Sequence, residues 1–89
     1  MIYNQMSKEK LERAFGKAIR ELRLERGLSQ EKLLRLSDHL DRSTFQRYDA
    51  GKRVPKVEMI IHVAKALDVT PGYLVDRACS YYEASMKEE

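Results

Sequence analysis

Apolar residues recur along this chain at intervals of three and four and hardly alternate, which is the spacing of helices rather than strands. Over residues 8–26, Leu11, Phe15, Ala18, Ile19 and Leu22 make an apolar stripe, and Arg13, Lys17, Arg20 and Arg23 lie off it. Ser7 is placed to cap this first helix and Gly27, free to take positive φ, to end it. Ser29 caps a second helix over 30–36, which buries Leu33 with Leu34 or Leu36. The polar run Ser37-Asp38-His39 interrupts the pattern, and Leu40 is an isolated apolar residue beyond it. Asp41 caps a third helix over 42–49, with Phe45 and Tyr48 on one face and Arg42, Ser43, Gln46 and Arg47 left for the other.

A basic loop follows, Gly51-Lys52-Arg53-Val54-Pro55, in which the proline holds Val54 extended and stops any helix running through. A fourth helix over 56–67 carries Val57, Ile60, Ile61, Ala64 and Leu67 as its apolar face. Thr70-Pro71 is a cap with proline at the first helical position, so a fifth helix starts there. Its face begins with Tyr73, Leu74 and Val75 and continues through Ala78 or Cys79, Tyr82 and Met86, as one long helix or with a short sixth. The fold class is therefore all-α, five short helices around Leu11, Phe15, Ile19, Leu22, Leu33, Leu40, Phe45, Tyr48, Ile60, Ile61, Leu67 and Leu74.

Composition narrows the chemistry. The chain has 89 residues, 43% hydrophobic and 35% charged, a globular balance far from that of disordered segments. No apolar run exceeds three residues, which excludes a membrane span or a signal-peptide core and implies a cytoplasmic protein. One cysteine excludes an intramolecular disulfide, and with two histidines it cannot complete a set of zinc ligands. No cofactor or metal is expected. Ser37-Asp38-His39 holds the residue types of a catalytic triad, but consecutive residues on a turn cannot converge on one reacting atom, so no enzyme is expected. Cys79 reads as a small apolar helix residue, and His39 and His62 as exposed.

The net charge of +3 is unevenly distributed: residues 1–56 carry +6 and residues 57–89 carry −3. A basic portion joined to an acidic one suits a surface for a polyanion and a surface for something else. The capped helix, polar turn and second capped helix between Gly27 and Pro55 are the parts of a helix-turn-helix. Such a helix fits the major groove, where arginine or glutamine can pair two atoms of one base edge.

Here the sequence resembles the Cro/cI-type, or XRE, helix-turn-helix family of bacterial and phage regulators, over residues 15–75. The resemblance rests on Ile19-Arg20-Glu21-Leu22-Arg23, Arg26-Gly27-Leu28-Ser29-Gln30-Glu31, Arg42-Ser43-Thr44-Phe45-Gln46-Arg47-Tyr48, the Gly51 loop and Ala64-Lys65-Ala66-Leu67-Asp68-Val69-Thr70. It implies a five-helix, phage-repressor-like DNA-binding domain with a helical C-terminal extension. Residues 1–75 are then the DNA-binding domain and 76–89 the extension. It also implies that Arg42, Ser43, Gln46 and Arg47 face the bases, and that Gln30, Thr44, Lys52 and Arg53 face phosphates. Leu33, Leu40, Phe45 and Tyr48 match the buried positions between the two helices. Two places depart from the family pattern: Leu34 stands where a small residue is usual, and Asp38-His39 stands where the turn usually has glycine, with one residue extra.

The implied function is a sequence-specific regulator of transcription on double-stranded DNA, a dimeric repressor on a palindromic operator. An antitoxin or a restriction–modification controller would share this chemistry. A protein-interaction module of the same shape would need an apolar or acidic outer face on the third helix. In the tail, Val75, Cys79, Tyr82 and Met86 recur at helical spacing, either packed back on the monomer or forming a two-fold interface. The interface reading, with Tyr81 and Tyr82 as anchors, is the expectation carried forward.

Overall fold

The computed structural model describes residues 6–88, so residues 1–5 and 89 of the two expected segments lie outside it. Its elements are α1 (Lys8–Glu25), α2 (Gln30–Arg35), α3 (Arg42–Asp49), α4 (Val57–Ala66) and α5 (Pro71–Lys87), with no strand among the described residues. The starts follow from capping side chains. The backbone N–H groups of Lys10, Lys32, Thr44 and Tyr73 donate to the side chains of Ser7, Ser29, Asp41 and Thr70 at 2.9–3.3 Å. Each such cap contributes about 1 kcal/mol. α4 has no side-chain cap, and buried Pro55 sets its entry instead.

The ends are equally local. Gly27 and Gly51 take φ of 65° and 71° after α1 and α3, and Asp68 takes 59° after α4. In each case the next residue's N–H reaches back to close the last turn: Leu28 to Arg23 O, Lys52 to Arg47 O and Val69 to Ala64 O, at 2.9–3.0 Å. This is the Schellman arrangement, which satisfies carbonyls that the helix leaves open. The α2–α3 turn is different: none of residues 36–41 has positive φ, so the turn has no need of glycine there.

The core is one cluster. Phe15, Ile19 and Leu22 of α1 meet Leu33, Leu40, Phe45 and Tyr48. The same cluster takes in Ile60, Val63, Leu67, Leu74 and Ala78 from α4, its end and α5. Burying one large aliphatic or aromatic side chain contributes about 1.5–3 kcal/mol before ordering costs. Three apolar expectations are corrected here. Ile61, expected in the core, is 48% exposed, and Val57, expected on the same face, is 74% exposed. Val63 is fully buried in their place. The apolar arc of α4 is wider than one face, and packing against α5 selects the Ile60, Val63, Ala64 and Leu67 side. Tyr73, expected at the start of the α5 face, points outward too, its hydroxyl accepting from Arg77 at 2.7 Å.

α5 is a single helix laid along α1. The expected boundary after residue 75 falls inside it, and Ala78 and Tyr82 beyond that point are fully buried. Tyr82 Oη accepts a hydrogen bond from Ser7 N at 2.9 Å. The Lys10 ammonium donates to Ser85 O at 3.2 Å, and Arg77 pairs with Glu25 at 2.6 Å. Tyr82 is thus an anchor within one chain, which corrects its expected place at an interface between two.

Candidate nucleic-acid interface

α3 is split lengthwise by what it buries. Phe45, Tyr48 and Asp49 face inward, and Ser43, Gln46, Arg47 and Ala50 form an exposed row at helical spacing. Arg42 stands at the first position of the helix, also exposed. The four expected base readers therefore lie on the outer surface of one helix.

They do not stand in the same state. Arg47 and Gln46 make no side-chain hydrogen bond or ion pair among the described residues. Arg42 is held: its Nη1 and Nη2 donate to Oε1 and Oε2 of Glu31 in α2, the latter at 2.9 Å. Those hydrogen bonds keep the Glu31 carboxyl below its ordinary range. Ser43 is committed to its own cap, since its Oγ donates to Asp41 Oδ1 at 2.9 Å. With that proton engaged, the hydroxyl offers a base only lone pairs.

The expected phosphate contacts are also mixed. Thr44 Oγ1 donates to Asp41 Oδ2 at 2.6 Å while its N–H donates to Oδ1 at 2.9 Å. Asp41 thus caps α3 through both oxygens. The Thr44 hydroxyl, then the Thr44 amide and the Ser43 hydroxyl, bring its pKa down to about 2. A phosphate only accepts, so Thr44 would have to leave Asp41 to donate to one. Gln30 Nε2 donates one proton to Asp49 Oδ2 at 2.8 Å and keeps a second. Lys52 and Arg53 are exposed on the loop after α3. Arg53 lies near enough to Tyr48 to oppose the rise in phenol pKa that burial causes.

What positions this face is a polar network not foreseen from the sequence. Asp49 is buried, and Arg23 of α1 grips it with Nε on Oδ1 at 3.2 Å and Nη2 on Oδ2 at 3.3 Å. The same guanidinium donates to Leu28 O at 3.0 Å, and Arg20 donates to Asp49 O. With Gln30, three helices converge on one carboxylate. A signal was present in the sequence: Asp49 sits in the last turn of α3, where the helix dipole disfavours a carboxylate, four residues after buried Phe45. Arg47, which could have partnered Asp49 or Asp41, finds both already occupied.

The basic loop is pinned as well. A Cβ on Gly16 of α1 would lie 2.6 Å from Gly51 Cα, so the backbone of the loop rests directly on α1. This seats Lys52 beside Arg13, a cation of α1 that sequence reasoning left without a role, in a shallow depression shared with Glu9 and Glu12. The turn between α2 and α3 has its own anchor. The His39 ring stacks on His62 of α4 with centroids 4.2 Å apart, and His62 is half-buried rather than exposed. Leu34 is half-buried against the core, so the larger side chain is accommodated where the two helices meet.

On the tail, Tyr81 donates its hydroxyl to Glu21 and lies under the Lys17 ammonium, 4.3 Å from the ring centre. Val75, Cys79, Tyr81 and Met86 are half-buried. No group of three metal-binding side chains occurs among the described residues, and no described helix is long and apolar enough to cross a membrane. A family model described as helix-turn-helix matches residues 19–74. No curated protein and no solved structure gives a significant match.

Proposed function

The chain belongs to the Cro/cI-type helix-turn-helix family of DNA-binding transcription regulators, and from that premise we propose that it is a sequence-specific repressor of bacterial or phage origin. α3 enters the major groove with Arg42, Ser43, Gln46 and Arg47 toward the bases. Gln30, Thr44, Lys52 and Arg53 hold phosphates on either side and set the register. The observation that carries this reading is the state of Arg47, an exposed guanidinium on the outer row of α3 with no protein partner among the described residues. An interaction module would present apolar or acidic groups in that row, and apart from Ala50, a single methyl, its members Ser43, Gln46 and Arg47 are neither.

We further propose a two-fold dimer. Its support is the flank of α5 on which Val75, Cys79 and Met86 stay half-buried, next to the face that packs on α1. A two-fold axis would set two copies of α3 about 34 Å apart on a palindromic site. Occupying a promoter in this way blocks transcription, and a DNA partner places the work in the cytoplasm.

Selection of duplexes from a random pool tests the proposal. The selected sequence should bind about 10³-fold or more tighter than random duplex at physiological salt. Arg47→Ala should then cost about 1–3 kcal/mol on the selected duplex and relax one base position. Lys52→Ala should weaken all duplexes alike and lower the salt slope by about 1. Equal loss from Arg47→Ala on selected and random duplexes would defeat base reading by that residue. Sedimentation over a range of protein concentrations tests the dimer, and a species that stays monomeric when bound to the selected site would defeat it.

A further inference from the structure

Glu31 places a carboxylate on the face proposed to meet DNA, where phosphates repel it. Stability is a poor reason for it. The Arg42–Glu31 pair is open to solvent, with the side chains 55% and 51% exposed, and such pairs add little. The pair joins the first turn of α2 to the first residue of α3. Arg42 sits at the positive end of the α3 dipole, which disfavours a cation, and the first turn of α3 contains no acidic residue. Asp41 already caps that end with a carboxylate, so what Glu31 adds from the neighbouring helix is a fixed direction for the guanidinium.

Glu31 takes one proton from each terminal nitrogen of Arg42. An arginine has five N–H donors, so Nε–H and the outer protons of the terminal nitrogens remain. That remaining edge is a fork of the kind that pairs with the two acceptors of guanine. Arg42 can therefore meet a base without leaving Glu31. Where no base in its reach offers such a pair of acceptors, the guanidinium forgoes the base contact or swings away to another anion and leaves Glu31 unpaired among phosphates.

Resting on the DNA-binding reading above, we infer that Glu31 is a specificity-determining residue, which orients Arg42 toward one base and penalises duplexes on which Arg42 has to abandon it. Discrimination of this kind comes from a repulsive element as much as from an attractive one. The carboxylate is neutralised on the right site and exposed on the wrong one.

The test is a double-mutant cycle of Glu31→Gln and Arg42→Ala, measuring the dissociation constants of the full chain for the selected duplex and for random duplex. Glu31→Gln keeps the shape, removes the charge and replaces one of the two acceptors that hold Arg42 by a donor. In the wild-type background it should tighten random binding several-fold, leave selected binding unchanged or weaker, and so reduce the ratio at least several-fold. In the Arg42→Ala background the same substitution should leave the ratio unchanged. Equal tightening on both duplexes in both backgrounds would mean plain charge repulsion and would overturn the inference. So would an unchanged ratio in the wild-type background. If the wild-type chain binds no duplex from the pool, the DNA-binding reading fails and takes this one with it. If it binds with discrimination that ignores Glu31, only the role of Glu31 fails.

Discussion

Gly16 stands inside a long helix, where glycine costs about 1 kcal/mol relative to alanine. Its spacing identifies it only as a weak helix former; the reason for it is Gly51, 35 positions on, whose Cα would lie 2.6 Å from an added Cβ. Gly16→Ala should therefore lower stability by about 1–2 kcal/mol in chemical denaturation, the clash with backbone outweighing the gain in helix propensity. A rise in stability would show that the loop yields freely. Asp41 makes the opposite case, because its capping role is legible in Asp41-Arg42-Ser43-Thr44 and the structure adds only its strength. Its folded pKa is depressed from 3.8 to about 2. The sign follows: the ionised cap contributes fully above about pH 4, and the contribution is lost as pH falls toward 2. Melting temperatures should decline more steeply across that window for the wild type than for Asp41→Asn. Parallel curves would remove Asp41 from the acid response.

Helix boundaries were readable because they are set locally. Ser7, Ser29, Asp41 and Thr70 cap where their sequence positions say, and Gly27 and Gly51 close their helices. α4 ends in the same way on Asp68, a non-glycine residue at φ 59°. An L residue there is strained by about 1 kcal/mol, eased somewhat for aspartate, and its charge opposes the dipole at the end of α4. Asp68→Gly should raise the denaturation midpoint by about 0.5–1 kcal/mol of stability, and Asp68→Ala should lower it. No change in either variant would mean that the end of α4 bears no strain. Which face of α4 is buried was not readable, since Val57, Met59, Ile60, Ile61, Val63 and Leu67 leave too broad an apolar arc for periodicity to choose within it.

At the scale of the molecule, α5 is part of the core. Tyr82 is fully buried along α1, so the tail cannot be removed as an independent interface segment. Tyr82→Ala should cost about 3–5 kcal/mol. A domain of this size has about 5–10 kcal/mol in total, so truncation after Asp76 should yield an unfolded chain by circular dichroism rather than a folded monomer. Tyr82→Phe, which keeps the ring and loses the contact with Ser7 N, should cost only about 1 kcal/mol. A folded truncated chain would return the tail to the role expected from its spacing. The His39–His62 stack and the Asp49 network belong to this scale too, each joining residues from separate helices.

By itself the sequence determined five helices, the caps Ser7, Ser29, Asp41 and Thr70, the end at Gly27, the outward row on α3 and the family. All of these depend on interactions within a few residues, or on a pattern carried along one segment. Tertiary structure decided the rest: the buried side of α4, the sealing of Tyr82 against α1, the meeting of Arg23, Gln30 and Asp49, and the hold of Glu31 on Arg42. Charge and apolarity say that a side chain needs a partner, and only the packing of distant segments says which one it finds.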